Sequence, residues 1–177
     1  MRKAIHRFFY AVLWLAMLSV VLPFLDAAVY AVRLASMPVP ATLSMPVDNL
    51  KRSALRDSWH VSRPGGRRHE GIDLFSGKGT PVQATTEGVV LRRGSSGLGG
   101  NVVWVLGPGG QRHYYAHLDR FSQISIGQRI ASGTVLGYVG NTGNARTTPP
   151  HLHYGIYGSA GAINPFPLLS THPDQIE

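Results

Sequence analysis

The sequence predicts a mainly β fold, an antiparallel sandwich-like sheet, preceded by one membrane-spanning helix. Two observations predict it. An apolar run lies near the start of the chain, and short runs rich in β-branched and aromatic residues, separated by glycine-rich turns, fill its second half. Of the 177 residues, 44% are hydrophobic and 15% are charged, which fits one globular domain plus a hydrophobic segment.

The apolar run covers residues 8–25. As a helix it would be about 27 Å long, close to the thickness of the hydrocarbon core of a bilayer. Arg2, Lys3 and Arg7 precede it, and this positive charge favours a cytoplasmic N-terminus with the rest of the chain exported. We therefore expect residues 1–33 to be a signal anchor in the inner (cytoplasmic) membrane, single-pass, with the remainder on the periplasmic or extracytoplasmic side.

The alternative is a cleaved signal peptide. Such a peptide has the same basic start, but its apolar core is usually only about 7 to 15 residues long. Cleavage after the small residue Ala31 would release a secreted chain that begins near Val32. The length of the apolar run favours the anchor.

The charge and the cysteine content restrict the partners. The net charge is +8, and there is no cysteine, so the domain must fold without disulfides. Basic proteins outside the cytoplasm meet anionic lipids and wall polymers more often than nucleic acid, so no nucleic-acid partner is expected. Arg63, Arg67 and Arg68 stand just before a histidine and could line a substrate path.

The domain organisation follows from composition. Residues 34–49 are rich in proline, serine and threonine, which predicts a linker or a strap. We expect a soluble, monomeric domain over residues 50–170, opening with a short helix at 50–56. Residues 171–177 are expected to form a tail.

Seven short runs carry the strand signal beyond the linker. They are residues 80–84, 88–93, 101–106, 111–117, 129–130, 135–139 and 151–157. The glycine-rich stretch 94–100 lacks the Lys-Ser/Thr ending of a phosphate-binding loop and lies between two strands, so it predicts a hairpin loop.

A metal site is indicated by histidines and one aspartate. His151 and His153 are two residues apart in a predicted strand and so share one face, which lets one bind a metal while the other reaches a substrate. His69 and Asp73 lie four residues apart, about 13 Å if extended, so the chain must bend between them, and Gly71 would allow this. Two histidines and one carboxylate complete a catalytic zinc set that leaves a fourth position for water.

Further histidines supply candidate bases. With His153 completing the metal set, His117 and His151 remain to accept a proton from water and to stabilise the oxyanion. The sequence leaves open which of the two is the general base. His113 is a weaker candidate, because it should share a strand face with Tyr115 and His117.

Several motifs occur together, in one order and spacing, between about residues 50 and 166. They are residues 68–73 (RHEGID), 79–84 (GTPVQA), 88–90 (GVV), 115–118 (YAHL), 127–128 (GQ), 137–143 (GYVGNTG) and 151–153 (HLH). In these motifs the chain resembles the lysostaphin-type or LytM-like zinc metallopeptidases, endopeptidases that cut peptide bridges in bacterial peptidoglycan.

The resemblance implies a role for each matched residue. It implies that His69, Asp73 and His153 bind one Zn²⁺ and that His117 and His151 are catalytic. It also implies a groove over one sheet, walled by loops, that takes the stem peptides of peptidoglycan.

The chain departs from the family pattern near the last motif. Pro149-Pro150 replaces the usual Gly-Pro, and the preceding loop carries Arg146. We expect Arg146 and Arg68 to bind substrate, because stem peptides carry carboxylates that an arginine fork can pair with. Tyr154 stands where phenylalanine is frequent, and its hydroxyl needs a partner if it is buried.

Two other classes of function are compatible with the same residues. A wall-binding or hydrolase-activating module would have the fold without turnover, but such members lack ligands, and all five positions are intact here. A non-haem iron oxygenase also uses two histidines and one carboxylate. Export and the two additional histidines argue against the oxygenase.

Overall fold

The computed structural model describes residues 2–171, except for the side chains at positions 2, 4, 5 and 23. It begins with a continuous helix, α1 (Arg2–Ser36), whose described side chains in the apolar run are exposed. Among the described residues this is the one helix long and apolar enough to cross a membrane, and an 18-residue window within His6–Ser36 has a mean hydropathy of 2.3. The expected tail lies outside the described residues beyond Thr171.

Eleven strands and a second helix follow in the described part of the chain. They are β1 (Ser62–Arg63), β2 (Arg67–Arg68), β3 (Ile72–Phe75), β4 (Pro81–Gln83), β5 (Gly88–Ser96), β6 (Gly100–Leu106), β7 (Arg112–Leu118), β8 (Arg129–Ile130), β9 (Val135–Tyr138), β10 (His151–Gly158), β11 (Gly161–Ile163) and α2 (Phe166–Ser170).

The strands within residues 2–171 form one large sheet and two short ribbons. The large sheet has the order β11-β10-β7-β6-β5-β8, with β3 also paired to β10, and every pair in it is antiparallel. The ribbons are β1–β2 and β4–β9. The predicted antiparallel fold behind an apolar helix is confirmed, and so is the hairpin between β5 and β6.

Some elements differ from the expectations. No sequence pattern predicts β1, β2, β3, β11 or α2, all of which are short. A helix over residues 50–56 was expected, but the structure has only a 3₁₀ turn at Arg52–Ala54. Lys51 and Leu55 on either side of it have extended backbone angles, which end the turn.

The core lies on one face of the large sheet. Val90, Val103, Tyr115 and Ile156 point to this face from four neighbouring strands and are fully buried. Apolar residues of the β4–β9 ribbon, such as Leu136, belong to the same cluster. The opposite face of β7 and β10 is therefore free to carry a groove.

Residues 34–49 pack against the domain in the structure. Leu43 and Val47 belong to the core cluster, with 3% and 1% of their surface exposed. The backbone N–H of Leu43 donates to Leu168 O at 2.8 Å, and Val47 forms a bridge with Val82 in β4. The segment is thus a strap over the core rather than a free connection.

Candidate metal centre and active site

A cavity of about 880 Å³ lies over β7 and β10. Six predicted site residues line it, namely Arg68, His69, Asp73, His117, His151 and His153. In the described part of the chain Arg146 does not line this cavity, although its neighbours Asn144 and Ala145 do. The structure therefore brings together the five residues proposed for metal binding and catalysis, and places one of the two arginines with them.

Three side chains form a candidate metal cluster. His69 Nε2 lies 2.8 Å from His153 Nδ1 and 3.1 Å from Asp73 Oδ1. His153 Nδ1 and Asp73 Oδ1 are 3.2 Å apart. Ligands at 2.0–2.1 Å in a tetrahedral site would be about 3.3 Å from one another. Two imidazole nitrogens and one carboxylate oxygen at these separations fit a zinc ion.

Strand pairing places two members of the cluster. His153 in β10 stands directly opposite Asp73 in β3. Side chains at such paired positions project from the same face of a sheet, a few ångströms apart. The antiparallel contact of β3 with β10 therefore sets the distance between this histidine and this carboxylate.

His69 reaches the cluster from the bend before β3. Gly71 lies in this bend, but its backbone does not adopt a left-handed conformation. The need for glycine is steric instead, because a Cβ there would lie 2.7 Å from Cε1 of His153. The predicted bend at Gly71 is therefore present, and the close approach of His153 adds a steric reason for glycine at this position.

Hydrogen bonds fix the tautomers of three site histidines. Each donates its Nδ1–H to a backbone carbonyl, which can only accept. The pairs are His69 with Ser58 at 2.7 Å, His117 with Thr142 at 2.9 Å and His151 with Pro149 at 2.8 Å. In the neutral ring Nε2 therefore carries a lone pair, as a metal ligand or a general base requires.

A β-bulge turns His117 into the groove. Asn101 pairs with Leu118 and Val103 with Tyr115, so two residues of β7 oppose one residue of β6. His117 has a φ of +63°, in the left-handed region. The bulge breaks the alternation of the strand, so Tyr115 points into the core while His117 lines the cavity.

The two candidate bases lie beside each other. The ring centroids of His117 and His151 are 5.0 Å apart, the ring planes are inclined at 64°, and both side chains are buried. Burial, with the nearby rings of His153 and His151, lowers the pKa of His117 to about 4. His117 is therefore neutral near pH 7 and able to accept a proton.

Asp73 is strongly held in its ionised form. Burial by itself would raise the pKa of Asp73, but hydrogen bonds and charges from His153 and His69 outweigh burial and hold the pKa well below its usual range. Arg63 in β1 adds an ion pair to Oδ2 at 2.5 Å. Arg63 also lines the cavity, but no sequence pattern predicts its contact with Asp73.

His113 does not belong to the site, so its candidacy was wrong. It is fully buried on the core face, where Nδ1 lies 2.7 Å from the Tyr154 hydroxyl and 3.3 Å from Oγ1 of Thr85. Tyr154 also contacts Thr85 at 2.9 Å, so its hydroxyl has the partners that burial demands. Burial lowers the pKa of His113 to about 4.

Comparison with known proteins identifies the family of this chain. The profile described as Peptidase family M23 matches residues 67–165, more than half of the chain, and this range contains all five candidate site residues. The chain belongs to peptidase family M23. This is a family of peptidoglycan endopeptidases, so the resemblance to lysostaphin-type and LytM-like peptidases is confirmed.

Two characterised relatives of this M23 chain differ in their named activities. An L-Ala–D-Glu endopeptidase of Bacillus subtilis is 40% identical over 126 residues, which are 64% of this chain and 39% of the relative. The DD-carboxypeptidase/endopeptidase Mpg of Neisseria meningitidis is 39% identical over 61% of this chain and 24% of its own length. The chain thus spans well under half of either relative.

A solved structure supports the fold of the M23 domain. The catalytic domain of the antimicrobial peptidase lysostaphin from Staphylococcus simulans superposes with a TM-score of 0.59 at 28% identity. The superposition covers 68% of this chain and 96% of that domain.

Proposed function

We propose that this chain is a zinc-dependent endopeptidase that hydrolyses peptide cross-links of bacterial peptidoglycan. One observation carries the proposal. His69, Asp73 and His153 bring three ligand atoms within 3.2 Å of one another, and His117 and His151 line the same cavity. The first three residues would hold one Zn²⁺ per chain, and the other two would move protons.

The protein residues have separate tasks in this reaction. A zinc ion at the site would supply an acidified water and polarise the scissile carbonyl. His117 is held by the Thr142 carbonyl and neutral, so its Nε2 can take a proton from the attacking water and return it to the leaving amine. His151 is anchored in the same way on Pro149 and, once protonated at Nε2, can stabilise the oxyanion. The two histidines could also exchange these tasks.

The substrate follows from the family and from the wall of the cavity. Arg67 and Arg68 are exposed residues of β2 that line it, and both offer a permanent positive charge to carboxylates of a stem peptide. The relatives differ in the bond they are named for, which is L-Ala–D-Glu in one and a DD linkage in the other.

The location of the enzyme follows from α1. We propose that α1 is an uncleaved anchor in the cytoplasmic membrane and that the catalytic domain is a monomer on its outer side, where peptidoglycan is. The alternative is secretion after cleavage of the N-terminal segment. N-terminal sequencing of the native protein decides between them, since a mature chain beginning near Val32 would exclude the anchor.

Digestion of purified peptidoglycan fragments by the full chain in detergent tests the activity. Mass spectrometry should show new amino termini from one bond type. A chelator should abolish cleavage, and added Zn²⁺ should restore it. Binding without cleavage by the zinc-loaded protein would contradict the proposal and favour a silent, hydrolase-activating module, and cleavage that survives the chelator would contradict the zinc requirement.

A further inference from the structure

The outer end of α1 packs against the catalytic domain. The helix continues for about three turns beyond the apolar run, to Ser36. Leu34 in this end is fully buried. Ala35 faces the turn Pro108–Gly110 between β6 and β7, where a Cβ on Gly110 would lie 3.8 Å from the Cβ of Ala35. The helix end therefore contacts the domain closely.

Polar contacts reinforce this packing. Arg129 in β8 forms an ion pair with Asp26 at 2.6 Å and donates to the carbonyl of Asp26 at 2.8 Å. The same guanidinium lies 4.4 Å above the ring of Tyr30, whose hydroxyl donates to Glu87. Asp26, Tyr30 and Leu34 are spaced by four residues and so lie on one helix face. One face of α1 thus carries an ion pair, a cation–π contact and an apolar contact to the domain.

The position of Arg129 indicates which part of the domain lies near the membrane surface. Asp26 is the first residue after the apolar run, so in an anchored chain it stands at the level of the lipid headgroups. Arg129 is bound to Asp26 and shares that level. Ile126, three residues before it, is 64% exposed at the tip of a tight turn closed by Ser125 and Gln128.

The neighbouring strand extends the same surface. Gly127 in the turn donates to Val90 O in β5, and the next residue, Leu91, is 41% exposed. Arg92 follows and is also exposed. Apolar tips beside arginines are the composition of surfaces that lie in a lipid headgroup region, where the apolar groups insert and the cations meet phosphate.

We propose that the outer end of α1 is a rigid mount for the catalytic domain and holds the surface formed by Leu91, Ile126 and Arg129 against the phospholipid headgroups. This inference rests on the anchored topology proposed above and goes beyond it. The strap over residues 34–49 then does not act as a flexible tether, and the position of the groove relative to the bilayer is set by the fold.

The mount leaves the groove accessible. The metal-site strand β10 is separated from β8 by β7, β6 and β5. Four strand spacings of about 4.8 Å place β10 about 19 Å across the sheet from β8, which carries the Arg129 contact with Asp26. The enzyme would therefore act on peptidoglycan within a fixed distance of the membrane.

Cross-linking tests the mount in the full chain. The chain has no cysteine, and the Cβ separation of 3.8 Å between positions 35 and 110 matches that of a disulfide. Mild oxidation of Ala35→Cys/Gly110→Cys in membranes should protect both thiols from a polyethylene glycol maleimide. The control pair Ala35→Cys/Ser159→Cys, with Ser159 exposed beyond β10, should stay reactive. Equal reactivity of the two pairs would overturn the mount.

A single-cysteine label tests the lipid contact without a change at a glycine. The full chain carrying Ile126→Cys is labelled with an environment-sensitive fluorophore in vesicles of phosphatidylglycerol and phosphatidylcholine. Nitroxide lipids should quench this label several-fold more than one at Val61→Cys, an exposed position just before β1. Equal quenching at the two positions would overturn the lipid contact.

Two further measurements distinguish an error in the membrane anchoring of α1 from an error in the proposed mount. Release of the chain from vesicles by alkaline carbonate would show that α1 is no anchor. The peptidoglycan digest, performed in detergent, depends on neither the anchor nor the mount.

Discussion

Arg63 binds Oδ2 of Asp73, and His69 and His153 lie against the other oxygen, Oδ1. The two oxygens of one carboxylate are thereby engaged on opposite sides. Such an arrangement fixes the rotation of the carboxylate and leaves a single oxygen for a metal. Arg63 is therefore placed to orient a ligand of the proposed zinc site.

Substitution of Arg63 should weaken zinc binding. Outer partners of metal ligands typically contribute about 10- to 100-fold in affinity, and we expect a loss in this range for Arg63→Gln. Removal of a cation near the site acts in the opposite direction, but the Arg63 side chain is 36% exposed and its charge is screened. Competition with a chromogenic chelator measures the affinity.

Arg67→Gln is the matched control for this measurement. Arg67 lies in the same β1–β2 ribbon, and its Nε donates to the Pro64 carbonyl rather than to Asp73. Equal zinc affinities of the two variants would show that the Arg63–Asp73 pair has no role in metal binding.

Substitution of the five central residues should separate metal binding from turnover. His69→Ala, Asp73→Ala and His153→Ala should each lose zinc, measured by elemental analysis. His117→Ala and His151→Ala should keep zinc and lose about 10² to 10⁴-fold in kcat, because each removes a path for a proton and not a ligand. Zinc loss in His117→Ala would mean that the ligand set is misassigned.

Much of the candidate site can be predicted from local sequence patterns. His151 and His153 lie on one strand face because alternation in β10 is regular. The same rule failed for His117, because the bulge beside it depends on how β7 pairs with the neighbouring strand β6. A rule of alternation cannot show where a strand will be interrupted by its neighbour.

Contacts between distant segments explain the other differences. Proline-rich composition predicts a linker or a strap at residues 34–49, and only the burial of Leu43 and Val47 shows that it is a strap. Composition indicates whether a segment forms a helix or a strand of its own. It does not indicate whether the side chains of that segment pack against the rest of the domain. The contact of Arg63 with Asp73 is of the same kind, since it depends on how the β1–β2 ribbon folds over β3.

Truncation should show where the domain begins. We expect a fragment 37–177 to be more stable than 50–177 by about 3 kcal/mol, since burial of one leucine and one valine is worth roughly 1.5–3 kcal/mol each and unfolded chains already bury part of this surface. The free energy of unfolding in urea measures the difference. Equal stability of the two fragments would place the boundary at residue 50, as the sequence predicts.

His113 should make the domain sensitive to acid. Its pKa is about 4 in the folded state against an ordinary value of 6.5. The unfolded chain therefore binds the proton first, so the stability contributed by neutral His113 is complete above pH 6.5 and is lost as the pH falls toward 4. At 1.36 kcal/mol per pH unit, the loss is about 3 kcal/mol.

Unfolding in urea at pH 7 and at pH 4.5 tests the contribution of His113. His113→Gln should be less stable than the native chain at pH 7, because it disturbs the contacts with Tyr154 and Thr85. It should nevertheless lose less stability on acidification. An identical acid-induced loss in the two proteins would assign the sensitivity to other groups, such as His117.

The two arginines expected to bind substrate occupy different positions, and their variants should differ accordingly. Arg68 lines the cavity, whereas Arg146 is exposed on the loop beside it, with its carbonyl near the side-chain amide of Asn141. Contacts that bind the ground state and the transition state equally raise KM and leave kcat unchanged when they are removed. We therefore expect Arg68→Ala to raise KM for acidic stem peptides more than Arg146→Ala does.

The effect of salt concentration on KM should distinguish substrate binding by Arg68 from a catalytic role. Exposed charges are screened over about 10 Å at 0.1 M ionic strength, so the difference in KM between Arg68→Ala and the native chain should shrink as salt is added. Steady-state kinetics on a defined stem peptide at two ionic strengths gives both constants. A fall in kcat with unchanged KM at either arginine would place that residue in the catalytic apparatus, because only a group that acts in the transition state alone changes kcat in this way.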